Sequence, residues 1–140
     1  MVLFPTGTAS CVPSATRGTS SLAFRSPLGT WLFDAGEGTQ LQLQSAPVTK
    51  SKINRIFVTH AHGDHTFGLP GLLCFLGVDR ARDPNQPIEI YGPEGLRSYL
   101  RSAVRYTSSR ICPCYRVHEL RDVPLAPGWR PWKTRGKVGG

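Results

Sequence analysis

The stretch "INRIFVTHAHGDH", residues 53–65, constrains this chain more than any other. A compact apolar run of β-branched and aromatic residues ends in H-x-H-x-D-H, formed by His60, His62, Asp64 and His65. The apolar run reads as a buried strand, 53–60, whose C-terminal end opens into a loop. "GLPGLLCFLG" follows, with Leu69, Leu72, Leu73 and Leu76 at i, i+3, i+4 and i+7 on one helical face. Pro70 suits the first turn of that helix, where a missing N–H costs little. The histidines therefore sit at a strand–loop–helix corner, where α/β folds gather functional groups. The fold class read from the chain is α/β (α+β).

Neutral imidazole and carboxylate are ligands suited to zinc, and also to manganese or iron. In a tight loop, alternate residues such as His60 and His62 turn toward one centre. The adjacent Asp64–His65 pair then serves a second, with Gly63 allowing the bend. A lone histidine is more often a satisfied structural residue, and His118, alone at a strand-like position, reads that way. Three of the chain's four histidines gathered beside one aspartate do not.

The rest of the chain supplies a small scaffold. Strands are expected at 2–4, 21–24, 30–34, 88–92 and 115–120, the second and third joined by the turn "RSPLG". "AGEGTQLQLQS" alternates with period two, yet glycines ahead of straight-chain residues favour a helix there. "PEGLRSYLRSAVRY" reads as a helix with Pro93 near its start and Leu96, Tyr99, Leu100 and Ala103 inward. Arg97, Arg101 and Arg105 form a basic ridge outside, for which a solvated face is preferred over RNA contact. "DRARDPNQP" reads as a polar surface loop. The tail "PLAPGWRPWKTRGKVGG" has no period and is expected to be disordered. The domain reading is therefore 1–120 for the folded part and 121–140 for a basic tail.

With 140 residues the chain allows one modest domain, and its net charge of +8 with pI ≈ 9.9 suits an anionic partner such as nucleic acid. No apolar run approaches the ~20 residues of a membrane span, so no membrane partner is expected. The start lacks the features of a secretory signal. The absence of acidic residues before Asp34 is a feature of mitochondrial transit peptides, but the stretch reads better as turns and strands. Cys11, Cys74, Cys112 and Cys114 show no C-x-x-C spacing; Cys74 reads as core, and Cys112-Pro113-Cys114 leaves a ligand pair open. A reduced intracellular compartment is the default.

H-x-H-x-D-H resembles the signature of the metallo-β-lactamase superfamily. The extension "THAHGDHTFGLPGLL" (59–73) is more specific and resembles ribonuclease Z, the tRNA 3′-processing endonuclease. "FDAGEGTQ" (33–40) is similar to that family's D-C-G-E-G-T-Q, with Ala35 in place of cysteine. "PIEIYGPEGL" (87–96), "PSATRG" (13–18) and "GTA" (7–9), where the family usually has G-T-G, fall in the family's order. The resemblance is closest to the short form and covers about residues 1–120.

The resemblance implies two zinc ions, one held by His60 and His62 and the other by Asp64 and His65. It implies Asp64 as the general base, Asp34 as an orienting residue beneath the loop, and Arg17 as a contact to the acceptor end of precursor tRNA. It implies a metallo-β-lactamase-type αββα sandwich, of which this chain has only the N-terminal αβ half, and it allows a homodimer. Cleavage would fall just 3′ of the discriminator nucleotide, in the cytosol or nucleus. The later histidines and aspartate of the family are absent, as is its RNA-clamping arm. The expected outcome is a truncated form with little activity alone and an uncovered inner sheet face. Three other readings stay open: a superfamily hydrolase of thioesters or lactams, a non-catalytic product binding RNA or a partner, and a non-functional fragment.

Overall fold

The computed structural model describes residues 1–78 and 83–121. Part of the expected polar loop (79–82) and the tail beyond Arg121 lie outside the described residues.

The strands are β1 (Val2–Gly7), β2 (Ser21–Ser26), β3 (Gly29–Phe33), β4 (Ile53–Phe57), β5 (Ile88–Pro93) and β6 (Tyr115–Leu120). The helices are α1 (Thr39–Ser45), α2 (Gly63–Thr66), α3 (Leu69–Gly77) and α4 (Leu96–Tyr106). The strands form one sheet in the order β1-β2-β3-β4-β5-β6. The first three run antiparallel, and β3 through β6 are parallel neighbours. Parallel neighbours need crossover connections, and crossovers in one sheet share a right hand. Because each crossover steps to the next strand in the same direction, α1, α2–α3 and α4 fall on one face.

That face holds the core. Ala23, Leu32, Ile56, Ile90 and Val117 are register partners across β2 to β6, all buried. Leu43 of α1, Leu69, Leu72, Leu73 and Leu76 of α3, and Leu96 and Leu100 of α4 join the same cluster. The leucine spacing read from the sequence thus faces the sheet as expected.

The alternate residues make two rows on the opposite face. One row runs Phe33, Phe57, Tyr91 and His118, with neighbouring rings stacked at centroid distances of 5.0, 5.1 and 4.6 Å. The other runs Phe24, Trp31, Arg55, Glu89 and Arg116. Arg55 lies 5.1 Å from the Trp31 ring, and Arg116 pairs with Glu89 at 2.6 Å. His118 meets Glu89 at 2.5 Å, so it is a satisfied strand residue as the sequence reading held. These side chains are half-buried or exposed, in contrast to the core row beneath.

Several boundaries differ from expectation. Strand β4 ends at Phe57 rather than at residue 60: the Val58 N–H bond to Tyr91 O is the last rung of the ladder with β5, and the chain leaves the sheet after it. Pro93 closes β5 instead of opening a helix; α4 begins at Leu96. Proline lacks only the N–H, so at the last position of a strand it costs one ladder bond. The period-two run "LQLQ" is helical, and α1 begins after Gly38 at φ 86°, a conformation that glycine adopts without penalty. Cys74 is half-buried, not core. Among the described residues no helix is long and apolar enough to cross a membrane.

Candidate metal centre

The C-terminal ends of β3 and β4 lie side by side and deliver Asp34 and the Thr59–His60 segment to one place. Asp34 has φ 62°, a left-handed conformation that aspartate tolerates better than most residues. Its N–H donates to Phe57 O at 2.7 Å, which fixes the turn against β4. Its carboxylate is almost fully buried and fully engaged. Oδ1 accepts from the Thr59 N–H at 2.8 Å, while the Thr59 hydroxyl lies 3.0 and 2.9 Å from Oδ1 and Oδ2. Oδ2 also lies 2.7 Å from His65 Nδ1. A carboxylate only accepts, so His65 carries its proton on Nδ1 and keeps the Nε2 lone pair for a ligand.

The same logic orients His60. The Thr59 hydroxyl has one proton, and Asp34 takes it. His60 Nδ1, 3.0 Å from that hydroxyl oxygen, then donates to it, and His60 Nε2 keeps a lone pair. His60 Nε2 stands 3.1 Å from His62 Nδ1. Burial, followed by the neighbouring His65 and His62, pushes the His60 pKa below its ordinary value, with Asp34 and Asp64 opposing. The shift favours the neutral ring, the form that binds metal.

Asp64 and His65 lie not in a loop, as expected, but in α2, a single turn beginning at Gly63. His65 Nε2 is 3.7 Å from Asp64 Oδ2. The Cys11 N–H donates to the same oxygen at 2.9 Å, and this bond is the largest cause holding the Asp64 pKa below the usual carboxylate range. Gly63 is not in a left-handed conformation. A Cβ there would sit 2.2 Å from the ring of Phe67, an exposed side chain, so neither an unusual bend nor a fixed wall demands this glycine.

Two other glycines set the floor of the site. A Cβ on Gly36 would lie 2.1 Å from both Asp64 O and Thr19 Oγ1, and one on Gly68 would lie 2.0 Å from Gly36 O. Only bare backbones fit there, and the closeness lets Ala35 N–H reach His65 O at 2.9 Å and Gly68 N–H reach Ala35 O at 3.0 Å. The "DAGEG" loop is thus clasped to the turn that carries Asp64 and His65.

The structure brings His60, His62, Asp64, His65 and Asp34 together. The rings of His60 and His65 are 4.1 Å apart, and those of His60 and His62 4.6 Å. Arg17 is exposed; its N–H donates to Ser14 Oγ at 3.1 Å, and its side chain meets none of these groups. It lies on the same 8–18 loop whose Cys11 touches Asp64. Among the described residues no three His, Cys, Asp or Glu side chains form a group able to hold one metal ion. The donors stand as two pairs. Both separations fall below the ~4.2 Å that two donors at ~2.1 Å from one zinc can span. The pairs therefore fit zinc in chemistry and spacing, and each supplies part of a coordination shell.

Sequence reasoning missed Thr59 and Cys11. A hydroxyl just before the first histidine was the available signal for Thr59. Cys11 acts through its backbone, at a separation of 53 residues, and carries no local mark.

Comparison with known proteins gives three concordant results. The family model described as "Beta-lactamase superfamily domain" matches residues 30–132. Zinc phosphodiesterase ELAC protein 1 of Bos taurus is 47% identical over 121 residues, covering 86% of this chain and 33% of the relative. Ribonuclease Z of Synechococcus sp. (strain CC9902) is 47% identical over 118 residues, covering 83% and 36%. The crystal structure of human tRNase Z, short form (ELAC1), superposes with TM-score 0.79 at 45% identity, over 89% of this chain and 46% of that one. The chain spans about a third of the length of the curated relatives it matches.

Proposed function

The chain belongs to the beta-lactamase superfamily, and from that premise we propose that it is the N-terminal part of a zinc-dependent phosphodiesterase that removes 3′ trailers from precursor tRNA. The observation that carries the reading is the pair of donor sets on one corner, braced by Asp34 and Thr59. The 47% identity to proteins named zinc phosphodiesterase and ribonuclease Z supports RNA over the thioester or lactam alternatives.

In this reading His60 and His62 would hold one zinc, and Asp64 and His65 would contribute to a second. When bound, zinc supplies Lewis acidity toward a phosphoryl oxygen and lowers the pKa of water toward ~7. The chain's own residues do the rest. Asp64, kept ionised by the Cys11 N–H, acts as general base and takes a proton from the attacking water. Asp34 holds His65 at Nδ1 and, through Thr59, His60 at Nδ1, so both Nε2 atoms face the site. Arg17, exposed on the loop over Asp64, meets a phosphate at the acceptor end.

Zinc sites take four or more ligands, and each pair here supplies two. The missing donors come, in this reading, from a second αβ layer seated on the half-exposed aromatic rows. The division into 1–120 and a basic segment 121–140 belongs to the same reading, with 122–140 outside the described residues. The chain alone then has little activity. A homodimer and a cytosolic or nuclear location belong to the same reading. The incomplete donor pairs favour, as second reading, a non-catalytic product that binds RNA or a partner.

The test is a chimera that joins residues 1–120 to the unmatched C-terminal part of the bovine relative. We expect zinc-dependent cleavage of precursor tRNA at the trailer junction, and loss of at least about 100-fold in His60→Ala or Asp64→Ala, in line with the ~10²–10⁴-fold worth of a positioned acid–base group. A folded, zinc-loaded chimera that leaves the RNA intact but hydrolyses a thioester would overturn the reading.

A further inference from the structure

We propose that the outer face of α4 is a docking surface for the phosphate backbone of the RNA substrate, an inference that rests on the tRNA-processing reading above. Arg97, Arg101 and Arg105 stand at four-residue spacing and are all exposed. Four residues of helix rise about 6 Å, so the three arginines are anchored along the helix at a spacing comparable to that of successive phosphates on one strand.

A solvated ridge is the ordinary fate of such a pattern, but three observations set this one apart. First, its guanidinium groups form no ion pair among the described residues, and α4 itself carries no acidic residue. Glu119 at the start of the helix is turned to backbone, accepting from the Gly95 and Arg97 N–H groups at 3.1 and 3.0 Å. Second, the ridge is anchored. The Arg97 guanidinium donates to Val117 O at 2.8 Å, which fixes the first member against β6. Arginine forks bind phosphate oxygens in pairs and lose less freedom when already held. Third, the helix that carries the ridge is tied to the metal corner. Tyr99, on the opposite side of the same helix, donates its hydroxyl to Thr66 O at 3.3 Å, one residue past His65. The arginine row therefore stands on the far side of that helix, more than a helix diameter of ~10–12 Å from the metal corner. Tyr106, 92% exposed, stands at the end of the row beside Arg105 and offers a ring for a base to stack on.

The surface would bind RNA by charge and spacing, without reading sequence. The test measures binding of the full chain to fluorescent 3′-extended precursor tRNA across a salt series. Each phosphate contact steepens the fall of log K with log salt by about 0.7–0.9. The variant R97Q/R101Q/R105Q is expected to lose about 2–3 from that slope. R101Q/R105Q, which spares the Arg97–Val117 bond, is expected to lose about 1.4–1.8, and R101K/R105K to keep it. Arg25→Gln with Lys52→Gln removes two exposed charges elsewhere and is expected to change the slope by less than half as much. An unchanged slope in both ridge variants overturns the proposal, as does an equal loss in the Arg25/Lys52 control. Ridge-dependent binding to phosphatidylserine vesicles without any ridge effect on RNA overturns it in favour of a membrane surface. If the ridge variants leave RNA binding unchanged while the chimera cleaves tRNA, the ridge assignment alone fails. An inactive chimera with the expected slope losses instead removes the catalytic reading and leaves the RNA surface.

Discussion

Asp34 is the residue on which the corner turns. It makes no direct claim on a metal, yet its two oxygens fix Thr59, His65 and, through Thr59, His60. Replacing it with alanine leaves both imidazoles free to rotate and to change tautomer. Asp34→Ala is therefore expected to weaken zinc retention about 10–100-fold in a chelator competition, while the chain stays folded. Retention equal to that of the parent would show that the imidazoles need no brace. Gly36 is the steric counterpart. Gly36→Ala forces a methyl against Asp64 O and Thr19 Oγ1. The expected cost is about 1–3 kcal/mol of stability, read as a lowered urea midpoint with an unchanged slope. At this scale the sequence was legible where chemistry is dense and short-range. H-x-H-x-D-H and the "FDAGEGTQ" aspartate stood out as types and spacings. The Cys11 N–H did not, because any residue with an N–H can make that bond and only the folded loop shows which one does.

At the level of elements, α4 ties the core to the corner. Its inner face buries Leu96 and Leu100, and Tyr99 reaches α2. Burial pushes the Tyr99 pKa up; Tyr115 on β6 is pushed up by burial and by Cys112, with Arg101 opposing. A phenol whose folded pKa is raised favours the neutral form in the folded state. Its contribution to stability is complete below the unfolded value of ~10 and is lost as pH rises through the folded value. Denaturant unfolding is thus expected to show a loss of stability above about pH 10 that Tyr99→Phe makes shallower. An identical alkaline profile in the variant would contradict the burial argument. Periodicity located α3 and α4 because a helix that packs on one side must repeat its leucines. It misjudged the start of α4. Pro93 suits a first helical turn, but the β5–β6 register, set by residues far along the chain, keeps it in the sheet. The "LQLQ" alternation likewise lost to the turn set by Gly38, and no strand among the described residues pairs with it.

For the whole molecule, the two faces of the sheet differ in kind. One is sealed by helices; the other presents the rows from Phe33 to His118 and from Phe24 to Arg116. The rings stack on one another, so their flat faces are already used and their edges point outward. In the proposed reading, this is the face that a second layer would cover. The full chain is expected to bind a hydrophobic dye and to sediment faster as its concentration rises. Phe57→Ser with Tyr91→Ser should reduce both. A monomer at all concentrations that binds no dye would show the face to be self-sufficient. The family resemblance led to the expectation of an uncovered inner face. It could not foretell that arginine, glutamate and histidine would share it, because cross-strand pairs become visible only once the register is known.

The central claim is that imidazoles 60, 62 and 65 with carboxylate 64 grip zinc. The most direct measurement is a crystal structure of the 1–120 chimera grown with zinc, with anomalous data collected at the zinc edge. The account predicts one peak within ~2.0–2.2 Å of ring nitrogens of His60 and His62, and a second at that distance from Asp64 and His65. Zinc bound elsewhere, for example at Cys112 and Cys114, with these four side chains empty and splayed apart, would contradict it.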